Sequence, residues 1–479
     1  MCPSSPPSIP HHLTVGKHPR AVANLLWNPL GYGPSATRPA RCRAAKQHSS
    51  MQALPMTERE CYTKDWQRTN PDLVIHLPRW PGGKDEYADH LHVEYAANGD
   101  LLAIWTNGSA ESSSDVYIVC ARSTDEGKTW TQPHILKEPP APGMIPGLAW
   151  PVFSKSGRIY IFYNQNLGIG EDASRWSGII RCMVSDDDGH TWADGNVDID
   201  WRHTKYDHPD PSVGCNCIVW QKPIRDAKDR VIAGLSRWSS RMVYPRPIGG
   251  NRYHADTGCE LMRYDNIDDG PDPKDIKITW LPDEPGTIRV SPQIEPEASR
   301  GYSLAEEPGI ALLPDGRLWM NMRTVTGRIW YTVSDDHGHS WRPPEVLRYR
   351  DNGAEVLHPK SPDPIYRTHD DQYLLFYHNH EGYLDGATGP WDMDARRPLC
   401  MTVGEFRPKA HQPLWFSDGK LLCDTQKVGV GVTGLFWLAM YSSYTERAGK
   451  RIHWYIDRKH FVLGRYITDE MLADMKAPV

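Results

Sequence analysis

The stretch "VSDDDGHTW", Val184 to Trp192, sets three aspartates, a glycine and a tryptophan within nine residues. Alone it fits a metal-binding acidic loop, a pair of catalytic carboxylates, or a turn. The same pattern returns in "RSTDEGKTW" (Arg122 to Trp130) and "VSDDHGHSW" (Val333 to Trp341), all three obeying Ser-x-Asp-x-Gly-x-Ser/Thr-Trp. Recurrence at three places points to architecture rather than to one catalytic centre. The apolar, β-branched runs before each serine ("VYIVCAR", "IIRCMV", "IWYTV") predict a strand. The Ser and Asp side chains can hydrogen-bond the backbone of the turn that follows. Gly127, Gly189 and Gly338 supply its left-handed backbone, and Trp130, Trp192 and Trp341 bury a large ring as the chain returns.

A looser repeat surrounds this one. "ANGDLLAIW" (from Ala97), "SGRIYIFY" (Ser156), "KDRVIAG" (Lys228), "DGRLWMNMR" (Asp315), "DDQYLLFY" (Asp370) and "GKRIHWY" (Gly449) each join a turn signal to alternating apolar residues. They recur every 55 to 87 residues. That spacing predicts one four-stranded antiparallel sheet per repeat, able to bury its faces only against its neighbours. The expected fold is therefore all-β, a six-bladed propeller, with "DGKLLC" (Asp418) leaving room for a seventh blade.

Composition agrees with many short strands. In 479 residues, Trp (19) and Tyr (22) far outnumber Phe (7), and Gly (39) and Pro (41) are abundant. Residues 1–55 stand apart, with six Lys/Arg and no acidic residue before Glu58. Such a segment cannot bury enough apolar surface to offset its ordering entropy. It reads as a transit-like leader or as sequence upstream of a start at Met51 or Met56, so residues 56–479 are taken as a single propeller domain. Beyond it, 48 basic residues face 60 acidic ones, which gives a nucleic-acid or anionic-membrane partner no electrostatic support. No apolar run reaches the roughly 18 to 20 residues of a membrane span, and no secretory signal is recognisable, so the chain as written reads as cytoplasmic, or as secreted or periplasmic if its true start differs. The ten cysteines show no disulfide or zinc spacing, and Cys215 and Cys217 read as small buried strand residues. No cofactor or metal is expected; "YHNH" (Tyr377 to His380) puts two histidines on one strand face without a carboxylate at ligand spacing.

The repeated boxes and hairpins, over about residues 70 to 465, resemble the sialidase (neuraminidase) superfamily of BNR-repeat β-propellers. In sialidases the resemblance implies three arginines on the sugar carboxylate, a tyrosine nucleophile paired with a glutamate, and an aspartate acid/base. Guanidinium forks suit a carboxylate, and a neutral tyrosine avoids repulsion from an anionic sugar. "AEEPGIALLPDGRLWMNMR" matches the family's glutamate followed by a hairpin ending in arginine, which assigns Glu307 (or Glu306) and Arg323. "ARRPLCMTV" resembles the family's Arg-x-x-Leu-Thr-Val and points to Arg397, with Arg396 beside it. "AMYSSY" offers Tyr441 and Tyr444.

Two family features are missing. Where the family has Arg-Ile-Pro, this chain has "DHLHVEY", placing His90 and His92 on one strand face. In the loop expected to carry the aspartate, "SAESSSD" offers only Glu111 or Asp115. A histidine can act as acid or base, and some similar propellers are histidine-dependent rhamnose-glucuronate lyases. The expectation is a sialidase-like glycoside hydrolase acting beside a carboxylate-bearing sugar, with catalytic His90, His92, Glu307 and Tyr441, and Arg323 and Arg397 on the carboxylate. A uronate lyase and a non-catalytic glycan-binding propeller are the alternatives. The expected partner is an acidic oligosaccharide or glycoconjugate; the charges of "RIHWYIDRKHF" (Arg451 to Phe461) read as structural.

Overall fold

The computed structural model describes residues 64–79, 82–168, 177–244, 256–283, 286–290 and 304–478. Segment 1–55 lies outside them. No helix among the described residues is long and apolar enough to cross a membrane.

The strands follow one another sheet by sheet. After β1 (Leu73–His76), the first sheet runs β2 (Tyr87–Tyr95), β3 (Leu101–Gly108), β4 (Tyr117–Ser123) and β5 (His134–Lys137) in spatial order. Next come β6 (Pro146–Phe153), β7 (Ile159–Asn166), β8 (Ser177–Ser185) and β9 (Ala193–Asp194). These are joined through β10 (Cys215–Ile218) to β11 (Ile224–Arg225), β12 (Val231–Trp238), β13 (Thr257–Tyr264) and β14 (Ile278–Leu281), giving a nine-stranded sheet. Another four-stranded sheet holds β15 (Glu306–Leu312), β16 (Leu318–Arg323), β17 (Trp330–Ser334) and β18 (Glu345–Val346). A further sheet holds β19 (Ile365–Arg367), β20 (Tyr373–Tyr377), β21 (Leu399–Phe406) and β22 (Leu414–Phe416), with β23 (Lys420–Cys423) also on β21. The last holds β24 (Ser443–Arg447), β25 (Lys450–Asp457) and β26 (Phe461–Tyr466), completed by β1 from the other end of the chain. Each hairpin read from the sequence supplies β3, β7, β12, β16, β20 or β25. "DGKLLC" became β23, an addition to an existing sheet, because Leu421 pairs with Cys400.

Apolar cores lie between successive groups of strands, which makes the arrangement a propeller. Ile104 and Ile118 pack with Ile161 and Tyr163, Trp150 and Phe162 with Val231 and Met262, and Leu261 and Leu281 with Ile310 and Met320. Trp319 and Tyr331 meet Leu375 and Tyr377; Phe376 and Met401 meet Leu438 and Met440. Finally Trp454 and Val462 return to Leu91, Val93 and Trp105. Stacking sheet on sheet buries both faces of strands that are apolar on alternate residues.

The three acidic boxes form turns with the same set of hydrogen bonds. Ser185 Oγ donates to Asp187 Oδ1 and accepts from Gly189 N, both at 2.8 Å, while Asp187 accepts from Thr191 N (2.8 Å) and Thr191 Oγ1 (2.7 Å). Ser123/Asp125/Thr129 and Ser334/Asp336/Ser340 repeat the set. Those hydrogen bonds hold each aspartate ionised, with Asp125 lowered to about 2. The residue before each glycine is also left-handed (Glu126, Asp188, His337). The tryptophans pack against the preceding sheet: Trp130 meets Trp454 edge-on at 5.6 Å, and Trp192 joins the core that holds Leu102.

Candidate functional site

Strand register sets the boxes and the site at opposite ends. Ser334, which opens a box, pairs with Leu318 at the start of β16, whereas Glu306 pairs with Arg323 at its end. Five residues of strand separate them by roughly 16 Å.

At the site end, β2, β6 and β15 share one irregularity. Each takes an extra residue, between Asp89 and His92, Gly147 and Trp150, and Glu306 and Pro308. Inside each bulge a non-glycine residue is left-handed: His90 (φ 52°), Leu148 (φ 54°) and Glu307 (φ 45°). Such a conformation costs on the order of 1–2 kcal/mol for an L-residue. Side-chain oxygens hold it, catching the amide that the bulge frees from the ladder. Asp89 Oδ1 accepts from His90 N (3.1 Å), Thr106 Oγ1 from Leu148 N (3.0 Å), and Ser236 Oγ from Glu307 N.

Glu307, Arg323 and Tyr441 converge there. Tyr441 Oη donates to Glu307 Oε1 at 2.7 Å; Arg323 Nη1 donates to Glu307 Oε2 and lies 3.3 Å from Tyr441 Oη. Burial would raise the Glu307 carboxyl, but the charge of Arg323 and the hydrogen bonds from Arg323 and Tyr441 outweigh it, so it is lowered. Burial, with Glu307 adding to it, pushes the Tyr441 phenol well up. Glu307 is thus an anion placed to receive the proton of a neutral tyrosine. Trp220 meets the Tyr441 ring edge-on, and its Nε1 donates to Pro308 O at 3.0 Å, fixing the floor.

Cations ring this pair. Arg323 Nε stands 3.4 Å from Glu306, whose other oxygen accepts from Lys360 Nζ at 2.8 Å. Arg396 Nε donates to Lys360 O at 2.9 Å, while its Nη2 is buried without a hydrogen bond. Burial and the repulsion of Arg323 lower Arg396, as expected of a guanidinium that lacks an anion. Opposite, the His90 ring lies 4.4 Å from that of Tyr441, with neither ring nitrogen hydrogen-bonded. Burial lowers its pKa and keeps it neutral.

Other candidates are placed elsewhere or hold structure. Arg397 is turned away, its Nε and Nη2 on Asp424 (2.8 and 2.6 Å) and its Nη1 on Asp385. A short 3₁₀ turn, Met393–Ala395, resets the phase, so Arg396 is the arginine that faces Tyr441. His90 and His92 do not share a face, because the bulge breaks the alternation. His92 is buried without a hydrogen bond, and burial with the charges of His90 and Lys222 lowers it to about 3. Asp115 is taken by Ser109 Oγ (2.9 Å) and Ser113 Oγ. The "YHNH" histidines are spent on the protein: His378 bonds Pro398 O and Ser361 Oγ, and His380 bonds Arg397 O and Gly382 N. No ring nitrogen of either remains for a metal. His203, Asp207 and Cys215 bring donor atoms within 4.8 Å, but both oxygens of Asp207 accept from Arg237 and burial raises the Cys215 thiol to about 12.

Sequence reasoning places Lys360, with Asp363 and Arg367 in "HPKSPDPIYR", in a loop of the kind that caps a ligand face, but misses Lys459, whose charge reads as structural. The turn between β25 and β26 has Arg458 and Lys459 both left-handed (φ 57° and 53°), which sends Lys459 inward. Its Nζ is 2.9 Å from Asp89 Oδ2, 2.9 Å from Glu111 Oε1 and 5.1 Å from the Tyr441 ring centre.

Residues 99–444 match the family model described as "BNR repeat-like domain". No curated protein matches the chain in sequence. Among solved structures, a protein of unknown function from Dyadobacter fermentans superposes with a TM-score of 0.53 at 13% identity, covering 82% of this chain and 96% of its own. The NanB sialidase of Streptococcus pneumoniae gives 0.53 at 12% identity (84% and 71%). The leech intramolecular trans-sialidase gives 0.52 at 13% (84% and 71%). Identities this low speak for the fold, and the family match spans most of the chain. The chain belongs to the BNR repeat-like domain family, and its fold is like that of these two sialidases.

Proposed function

We propose that this protein is a six-bladed, sialidase-like glycoside hydrolase that cleaves a glycosidic bond beside a carboxylate-bearing sugar. The six-blade count rests on dividing the nine-stranded sheet at β10, between β8 and β12. The observation that carries the function is the Tyr441–Glu307 hydrogen bond, with Arg323 against both and the unpaired Nη2 of Arg396 nearby. Tyr441 Oη attacks the anomeric carbon as its proton passes to Glu307, the glycosidic C–O bond breaks, and the leaving oxygen takes a proton from solvent water, which regains it when a second water attacks the glycosyl-tyrosine. Water then releases the sugar from the tyrosine, and Tyr441 recovers its proton. Arg323 stabilises the phenolate character that develops, and Arg396 takes the sugar carboxylate.

A second reading, a uronate lyase, is favoured by His90, which is neutral, carries no hydrogen bond at either ring nitrogen, has Nδ1 3.5 Å from Asp89 Oδ2, and lies tilted against the Tyr441 ring. There His90 takes the proton at C5, the C4–O bond breaks to leave a C4=C5 double bond, and Tyr441 protonates the leaving oxygen. Incubation with sialosides and with oligosaccharides that carry a 4-O-glycosylated glucuronate tests both readings. Free acidic sugar without new ultraviolet absorbance supports the hydrolase, and absorbance of an unsaturated uronate supports the lyase. Binding without turnover makes the protein a glycan-binding propeller.

A further inference from the structure

Lys459 is a buried cation between two carboxylates that differ sharply. Asp89 is fixed: its side chain is 2% exposed, Oδ2 accepts from Tyr87 Oη at 2.6 Å, and Oδ1 accepts from His90 N. Glu111 is 24% exposed in the loop after β3, and Lys459 is the one cation in direct ion-pair contact with it among the described residues. Their separation of 2.9 Å is that of a direct ion pair, which burial strengthens. Burial by itself would lower the Lys459 ammonium, but Asp89 and Glu111 reverse this and raise it. The charges of Arg396 and Glu111 reach each other, and Arg396 also reaches Lys459. An anion entering beside Tyr441 therefore meets Arg396, with its unbonded Nη2, and Lys459, which already holds Glu111.

Removing Asp89 from Lys459 would also break the support of the left-handed His90. Removing Glu111 breaks one contact with a loop that water already reaches. The exchangeable anion is Glu111.

We propose that Lys459 is a specificity-determining cation for an acidic ligand, and that Glu111 is a tethered anion which occupies it until the ligand's carboxylate takes its place. This rests on the reading of the site as one for acidic sugars. Lys459, reaching in from the β25–β26 turn, supplies a positive charge where β2 carries His90 in place of an arginine. Neutral sugars cannot displace Glu111, so the contact selects for charge before any chemistry begins.

The test is calorimetric titration of the full chain with free N-acetylneuraminate and free glucuronate, on the wild type, Glu111→Gln, Lys459→Met and the double variant, with circular dichroism to confirm folding. Removing the competitor is expected to tighten binding of at least one probe about 5- to 10-fold. Lys459→Met weakens it by about tenfold or more, and the gain from Glu111→Gln vanishes in the double variant. Because Lys459→Met strands a buried Asp89, Glu111→Ala serves as the second variant and is expected to match Glu111→Gln. Binding to the wild type that Glu111 substitutions leave unchanged or weaken overturns the inference and leaves the acidic-sugar reading intact. If neither probe binds the wild type or the Glu111 variants, both fall. A loss of kcat on Glu111→Gln at unchanged affinity would make Glu111 a proton donor and also overturn the inference.

Discussion

Tyr441 and Glu307 stand 134 residues apart in sequence and share a 2.7 Å hydrogen bond, with Tyr441 as donor. Glu307 is left-handed in the bulge of β15, and it is from this strained position that its carboxylate meets the phenol.

Tyr441→Phe removes the proposed nucleophile and keeps the ring. Turnover should fall by at least about 10³-fold with ligand affinity within about threefold of the wild type, because the Arg323–Glu307 pair survives. Single-turnover kinetics with titration of an acidic sugar checks this.

Arg396→Ala and Arg397→Ala should behave oppositely although the residues are adjacent. The first should weaken acidic-ligand binding about 10- to 100-fold. Arg397→Ala unties Asp424 and Asp385 and should lower the thermal midpoint while sparing affinity. The reverse pattern would return the binding role to Arg397.

Acid should destabilise the fold through its buried histidines. His453 lies stacked on Phe376 at 3.9 Å with neither ring nitrogen bonded, and burial, aided by Arg465, lowers it to about 3. In the unfolded chain it titrates near 6.5. Between those values the unfolded state binds a proton that the folded state refuses. The stability owed to neutral His453 is thus complete above pH 6.5 and lost progressively as pH falls toward 3. His453→Phe should therefore flatten the stability-versus-pH slope by about 1.4 kcal/mol per pH unit, read from denaturant unfolding at pH 4.5 to 6.

Gly189→Ala tests the acidic box as architecture. A Cβ there would meet Leu102 Cδ1 at 2.7 Å and Trp192 Cζ2 at 3.0 Å, on a backbone at φ +79°. Stability should fall by ~1–3 kcal/mol with no change in ligand affinity, since the turn is at the far end of the strands from Tyr441.

What the sequence reveals here follows from periodicity. Ser-x-Asp-x-Gly-x-Ser/Thr-Trp and the six apolar hairpins are local, so they place the strands and set Asp187 aside as a turn residue. Glu307 and Arg323 are legible through the resemblance of "AEEPGIALLPDGRLWMNMR" to the family's glutamate and hairpin-ending arginine, and an arginine that ends an apolar strand needs a partner. The rest depended on breaks in phase that no alternation rule contains. An added residue in β2 separates His90 from His92, a 3₁₀ turn exchanges Arg397 for Arg396, and two successive left-handed residues carry Lys459 inward. Charges in "DRKHF" that read as structural include the ammonium nearest Glu111.

The pairing of β1 with β26 bears on how the molecule is made. Leu73 lies opposite Gly464, so this sheet takes a strand from each end of the described chain, with some 390 residues between. The sheets from β2 to β23 use neighbouring segments and can assemble as the chain leaves the ribosome. The closing one cannot be completed before synthesis is nearly finished. Until then the apolar flank of the first sheet, with Leu91, Val93 and Trp105, waits for Trp454 and Val462. That interval is when aggregation and chaperone capture are most favoured, and a circular permutant that joins β26 to β1 covalently should shorten it.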